Sequence, residues 1–185
     1  MKIALLIGHR SGSQGVRSWN KISEYAFWYT YLHTIKAFLP KQHKYVVFER
    51  LDDDGDGYRE RMETIGDRLD SEMVDLVVSF HFNSFESSTA DGFEVLCSNN
   101  LSSQFFARSM IVALDNHLFG DNRGYKIVPN DPTKRASGFL YKTIFPAILV
   151  EPFFGSSPED MASVVKNPER LYGALCEFFE NIIGE

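Results

Sequence analysis

The sequence predicts one α/β domain, a mostly parallel twisted sheet flanked by helices, and three observations carry that expectation. Short apolar runs suited to strands covered on both faces recur at Ile3–Ile7, Asp75–His81 and Pro146–Glu151. Between the first two lies helical spacing: Ile22, Tyr25, Ala26, Tyr29, Leu32, Ile35 and Leu39 share one periodicity from Lys21 to Leu39. Two late segments, Ser157-Pro158-Glu159-Asp160 and Asn167-Pro168-Glu169, each set a capping side chain before a first-turn proline and place acids at the positive helix end. Strands alternating with helices are the pattern of a parallel sheet with crossover helices.

In chain order, the Ile3–Ile7 strand runs straight into Gly8-His9, and the Gly- and Ser-rich stretch Arg10–Asn20 reads as a loop. The Lys21–Leu39 helix is closed by Pro40. A second short strand follows at Tyr45–Phe48, then an acidic segment, then a polar amphipathic helix over Tyr58–Met73. Further strands are expected at Asp75–His81 and Gly92–Cys97, a helix at Ser102–Phe119, and the last strand at Pro146–Glu151. No internal repeat, low-complexity segment or linker divides the chain, so residues 1–185 are expected to form a single domain.

Composition narrows the partners. The chain has 185 residues, 44% of them hydrophobic, with 16 Phe, enough for one packed core. Its formal charge of −6, without a run of lysine and arginine, argues against nucleic acid or an anionic membrane as a partner. The five-residue apolar run Ile3–Ile7 is too short for a signal-peptide core, and no stretch approaches the roughly 20 apolar residues of a membrane span. Cys97 and Cys176 form no CxxC and read as free thiols of a reducing compartment. Trp19, Trp28 and most of the phenylalanines read as core; the loop residues Phe85 and Phe139, and the stretch Arg135-Ala136-Ser137-Gly138, are candidates for a substrate edge.

Ligands of open α/β sheets gather just beyond the carboxyl ends of the strands. Three strands here finish in chemistry-bearing residues: Gly8-His9, Phe80-His81 and Val150-Glu151. Glu24, in the first turn of the first helix, is a fourth candidate, although acids there are ordinary. Glu151 is hard to explain otherwise, because four apolar residues lead into an acid that is costly to bury without a cation or hydrogen bonds. Two imidazoles and a carboxylate form a common catalytic zinc set with a position left for water, and a further carboxylate can move the proton. That kit suits metal-assisted amide hydrolysis. His33, His43 and His117 read as helix-face or loop residues outside the site.

These positions resemble the zinc-dependent N-acetylmuramoyl-L-alanine amidases, and most of all the catalytic domains of phage endolysins. The resembling pieces are IGH, Glu24, DLVVSFHFNS, DGFEVL, NRGYK, PAILVEPFF and SSPED, in the family's order over residues 3–161. The resemblance implies that His9, Glu24 and His81 bind one Zn2+, that Glu151 is the catalytic acid/base, and that Asn83 orients the site or touches substrate. It implies bacterial peptidoglycan as the partner and cell-wall lysis as the outcome. The length of the chain suits a catalytic domain alone; for a phage lysin the family pattern implies accumulation in the host cytoplasm until a holin-type lesion releases it, and a host-encoded enzyme is equally compatible with the sequence. Two departures stand out: Arg10-Ser11 replaces the glycine that often follows Gly-His, and Pro152-Phe153-Phe154 follows Glu151.

Two other readings compete. The same kit would serve a zinc peptidase acting on the stem peptide or on other peptides. Residues 52–63 also match the calcium-loop pattern, with Asp52, Asp54 and Asp56 at its first, third and fifth places, Gly57 at the sixth and Glu63 at the twelfth, as in a Ca2+-binding module. Context argues against calcium: a strand enters this loop where a helix is required, Arg59 replaces the usual hydrophobic eighth residue, and no sister loop exists.

Overall fold

The computed structural model describes residues 1–50, 58–131, 133–134 and 136–182. Six strands form one sheet in the order β2-β1-β3-β6-β4-β5. They are β1 (Lys2–Ile7), β2 (Lys44–Phe48), β3 (Leu76–Phe80), β4 (Phe93–Cys97), β5 (Asn122–Ile127) and β6 (Ala147–Glu151). Neighbours pair in parallel except β4 and β6, which are antiparallel. The sheet is therefore mostly parallel, as the alternation of periods requires.

Among the described residues six α-helices cover it: α1 (Glu24–Ile35), α2 (Tyr58–Ser71), α3 (Leu101–His117), α4 (Ser137–Leu140), α5 (Pro158–Lys166) and α6 (Pro168–Asn181). Because side chains alternate across a strand, β1 feeds two cores. Ile3, Leu5 and Ile7 join Trp28, Val78, Phe80, Val150 and Phe178 under α1, α3 and α6. Ala4 and Leu6 join Met62, Ile65, Leu69, Phe139 and Leu149 under α2 and α4. Trp28 is fully buried, its ring 5.0 Å from Phe80 and 6.0 Å from Phe153, and burial of such side chains contributes roughly 1.5–3 kcal/mol each.

Several expectations are corrected. The first helix begins at Glu24 rather than Lys21, whose left-handed φ of 69° keeps it in the preceding loop, and its last turn tightens to a 3-10 turn over Lys36–Phe38. Trp19 is not core but 60% exposed. Phe139 lies not in a loop but in α4, and is buried. Ser157 caps α5 through Oγ, which accepts from Asp160 N at 3.3 Å. Asn167 does not cap α6; its side chain turns back and donates to Ser163 O at the end of α5. Strand β5 and helix α4 were not anticipated. Cys97 and Cys176 are free, as expected.

Candidate metal and catalytic site

The carboxyl ends of β1, β3 and β6 lie side by side, and their ladders continue one step past the strands. Gly8 N donates to Phe80 O and His81 N donates to Val150 O, each at 3.0 Å. This carries His9 and His81 out over the same sheet edge. One residue beyond the Phe80↔Val150 register pair stand His81 on one strand and Glu151 on the other.

Glu24 arrives by a different route. The loop after His9 folds back along the start of α1, where Glu24 N donates to Val16 O and Tyr25 N to Gln14 O, both at 3.1 Å. Ser23 caps the helix, its Oγ accepting from Ala26 N at 3.2 Å and donating to Gln14 Oε1 at 2.7 Å. Trp19 N donates to Gly155 O at 2.8 Å and ties the loop to the turn after β6. The positive end of α1 favours an anion at this place, and Glu24 is only 3% exposed there.

The Glu24 carboxylate lies between the two imidazoles. Its Oε1 is 2.8 Å from His81 Nδ1 and accepts from Phe82 N at 3.2 Å; its Oε2 is 3.2 Å from His9 Nε2. One donor atom from each of His9, Glu24 and His81 falls within 4.8 Å of the others. Burial pushes the Glu24 carboxyl upward, but hydrogen bonds to His81 and His9 outweigh it and hold it at about 2. For His81 burial dominates, bringing the imidazole down to about 4 despite Glu24. The carboxylate is thus ionised and the imidazole neutral near pH 7, the states a metal ligand needs.

These residues fit a zinc ion. Tetrahedral donors at zinc stand about 3.3 Å apart; the imidazole–carboxylate contacts are 2.8 and 3.2 Å, made to the two oxygens of Glu24, and the three donors lie within 4.8 Å of one another. The His81 nitrogen that faces Glu24 is Nδ1, so Nε2, buried and without a hydrogen-bond partner among the described residues, is not one of these donors. Glycines make the room: a Cβ on Gly15, whose φ is +74°, would stand 2.7 Å from both Glu24 Oε2 and His9 Nε2.

The trio opens into a cleft of about 630 Å³, whose walls include Arg50, Lys134, Ala136 and Phe139. Ala136, at φ 66°, holds a left-handed conformation that costs a non-glycine residue about 1–3 kcal/mol. Of the proposed substrate edge, Ala136 and Phe139 therefore line the cleft, while Arg135 lies outside the described residues. Glu151 is fully buried at the end of β6. Asn83 is 8% exposed; its Nδ2 donates to Glu94 Oε1 at 3.0 Å and its Oδ1 accepts from Ser84 N at 2.9 Å. Sequence reasoning gave Glu94 no role, yet it is a buried carboxylate directly opposite Glu151 in the β4–β6 register. Its place in DGFEVL, an acid within an apolar strand, was the available signal.

The remaining candidates lie elsewhere. His33 approaches Glu49, His43 bonds Phe179 O, and His117 pairs with Glu177, so none joins the trio. Of the calcium pattern, Asp52, Asp54, Asp56 and Gly57 lie outside the described residues. Glu63 is in α2 and accepts from Lys142 Nζ at 2.8 Å. The segment joins strand β2 to helix α2, not two helices.

An open, mostly parallel α/β sheet with two imidazoles and a carboxylate gathered at its carboxyl edge has the makings of a metal-dependent hydrolase. The chain matches the family described as N-acetylmuramoyl-L-alanine amidase over residues 3–175, and it belongs to that family. Membership sets its reaction class, amide hydrolysis, and its substrate class, peptidoglycan. The catalytic domain of the CD27L endolysin targeting Clostridia difficile has the same fold, with a TM-score of 0.79 and 21% identity, over 100% of this chain and 99% of that one. An N-acetylmuramoyl-L-alanine amidase from Clostridium difficile 630 follows at 0.76 and 19%, covering 97% and 94%. The amidase Ami1 from Mycobacterium smegmatis follows at 0.72 and 21%, covering 97% and 95%. No curated protein sequence matches the chain. Among the described residues no helix is long and apolar enough to cross a membrane.

Proposed function

We propose that the protein is a zinc-dependent amidase that hydrolyses the bond between N-acetylmuramic acid and L-alanine in bacterial peptidoglycan, acting as one catalytic domain over residues 1–185. The observation that carries this reading is the gathering of His9, Glu24 and His81, with donor atoms within 4.8 Å, beside buried Glu151 in a chain of the amidase family. His9, Glu24 and His81 would hold one zinc ion. Zinc there would supply the Lewis acid that polarises the scissile carbonyl and acidifies the attacking water.

Glu151 takes the proton of that water as it attacks and returns it to the alanine nitrogen as the C–N bond breaks, so one carboxylate serves as base and then as acid. Asn83, its amide fixed by Glu94 and Ser84, orients the substrate beside His81. The likeness to an endolysin catalytic domain supports a lytic role: accumulation in the host cytoplasm, then passage to the wall through a holin-type lesion. The test is Glu151→Gln. Turbidity clearing of cell walls should fall at least about a thousandfold while zinc content and melting temperature stay unchanged, because proton transfer in both steps is lost. Lysis at near wild-type rate would remove Glu151 from the mechanism.

A further inference from the structure

A second cavity, of about 430 Å³, opens on the other side of the 82–85 loop, lined by Asn83, Glu94, Arg123, Lys126 and Phe154 among others. Its one buried carboxylate is fully engaged. Glu94 accepts from Asn83 Nδ2 at 3.0 Å and from Lys126 Nζ, with Arg123 Nε 4.0 Å away. One acid against two cations leaves this lining positive, in a chain whose formal charge is −6. The Arg123 guanidinium lies over the Phe154 ring at 5.0 Å and donates through Nη1 to Asp91 O at 3.3 Å. Among the described residues its Nη2 makes no hydrogen bond. A guanidinium held over an aromatic ring is restrained, and its unused N–H groups can donate to the two oxygens of a carboxylate.

We infer that this cavity is a subsite for a free carboxylate on the peptide half of the substrate, an inference that rests on the amidase reading. Arg123 binds the carboxylate with Lys126 beside it, and Glu94 is a positioning residue that sets both cations and the Asn83 amide. The glycan strand offers hydroxyl and acetamido groups, which are neutral; the free carboxylates are on the stem peptide. The reach agrees. Asn83 is two residues past His81 in a segment that pairs with Phe154, about 7 Å along extended chain, which is the span from the scissile amide to the second stem residue.

The test is steady-state kinetics of the zinc-loaded protein on two matched muropeptides, one with a free carboxylate on the second stem residue and one with its primary amide. The wild type should prefer the carboxylate form by about tenfold or more in kcat/KM, carried mainly by KM, as expected for a charge-assisted hydrogen bond. Arg123→Ala should bring that ratio close to one, and Arg123→Lys, which keeps charge but loses the fork, should restore part of it. Arg108→Ala removes a cation that packs on Tyr125 and does not line the cavity, and should keep the wild-type ratio. A wild type that cleaves both substrates without preference, or an Arg123→Ala protein that keeps the preference, overturns the subsite alone. A wild type that cleaves neither overturns the amidase reading and the subsite with it.

Discussion

Gly8 stands so close to His81 that a Cβ on it would lie 2.3 Å from both Cε1 and Nε2 of the imidazole, and 2.5 Å from the Phe80 carbonyl oxygen. The absence of a side chain at the end of β1 is what lets the His81 ring occupy the sheet edge beside His9. Gly8→Ala must move the ring or part the strands. We expect zinc content to fall below half an ion per chain, with overpacking costing about 1–3 kcal/mol. Metal analysis and denaturant unfolding of the variant check this; full zinc content would show that the ring has room to spare.

Acid should destabilise the metal-free protein in a defined window. His81 is held at about 4 in the fold against 6.5 for the unperturbed group, and Glu24 at about 2 against 4.5. Across each interval the unfolded chain binds a proton that the folded chain refuses, so stability rises with pH. The urea midpoint of the metal-free protein should therefore drop as pH falls from about 6.5 to 4 on account of His81, and continue to drop below 4.5 on account of Glu24. His81→Phe should flatten the upper interval. A wild-type midpoint constant from pH 6.5 to 4 would contradict the burial of a neutral imidazole.

Asp160 pins the turn after β6 to the start of β4. Its Oδ2 accepts from Phe154 N at 2.8 Å and from Gly92 N at 3.1 Å, and the residue is buried. Asp160→Ala leaves two buried N–H groups without acceptors and should cost about 2–4 kcal/mol in equilibrium unfolding, whereas Asp160→Asn, which keeps one oxygen, should cost less. Equal losses in the two variants would point to packing rather than these hydrogen bonds.

The central strands were legible because β1, β3 and β6 are buried on both faces, so their sequences are mainly apolar runs and the residues that end them stand out. Strand β5 was not, because NRGYKI is a polar edge strand with one neighbour and four exposed residues, and only tertiary pairing makes it a strand. Glu24 looked like an ordinary first-turn acid; its burial depends on a loop that folds back through Gln14 and Val16, which no local period records. The role of Glu94 was hidden for a related reason: its partners Asn83 and Lys126 lie on other segments, and the β4–β6 pairing that sets it opposite Glu151 is non-local. Asn167 shows the limit of motif reading, since the Asn-Pro-Glu signature marks the helix start correctly while its side chain serves the helix before it.

The bond between muramic acid and L-alanine is the one the protein cuts in this mechanism. Mass spectrometry of purified peptidoglycan digested by the zinc-loaded protein tests it most directly. Hydrolysis at this bond leaves new free amino groups on L-alanine, matched by newly freed lactyl carboxylates on muramic acid, and both disappear when a chelator removes the metal. Cleavage within the stem peptide or between the sugars would contradict it.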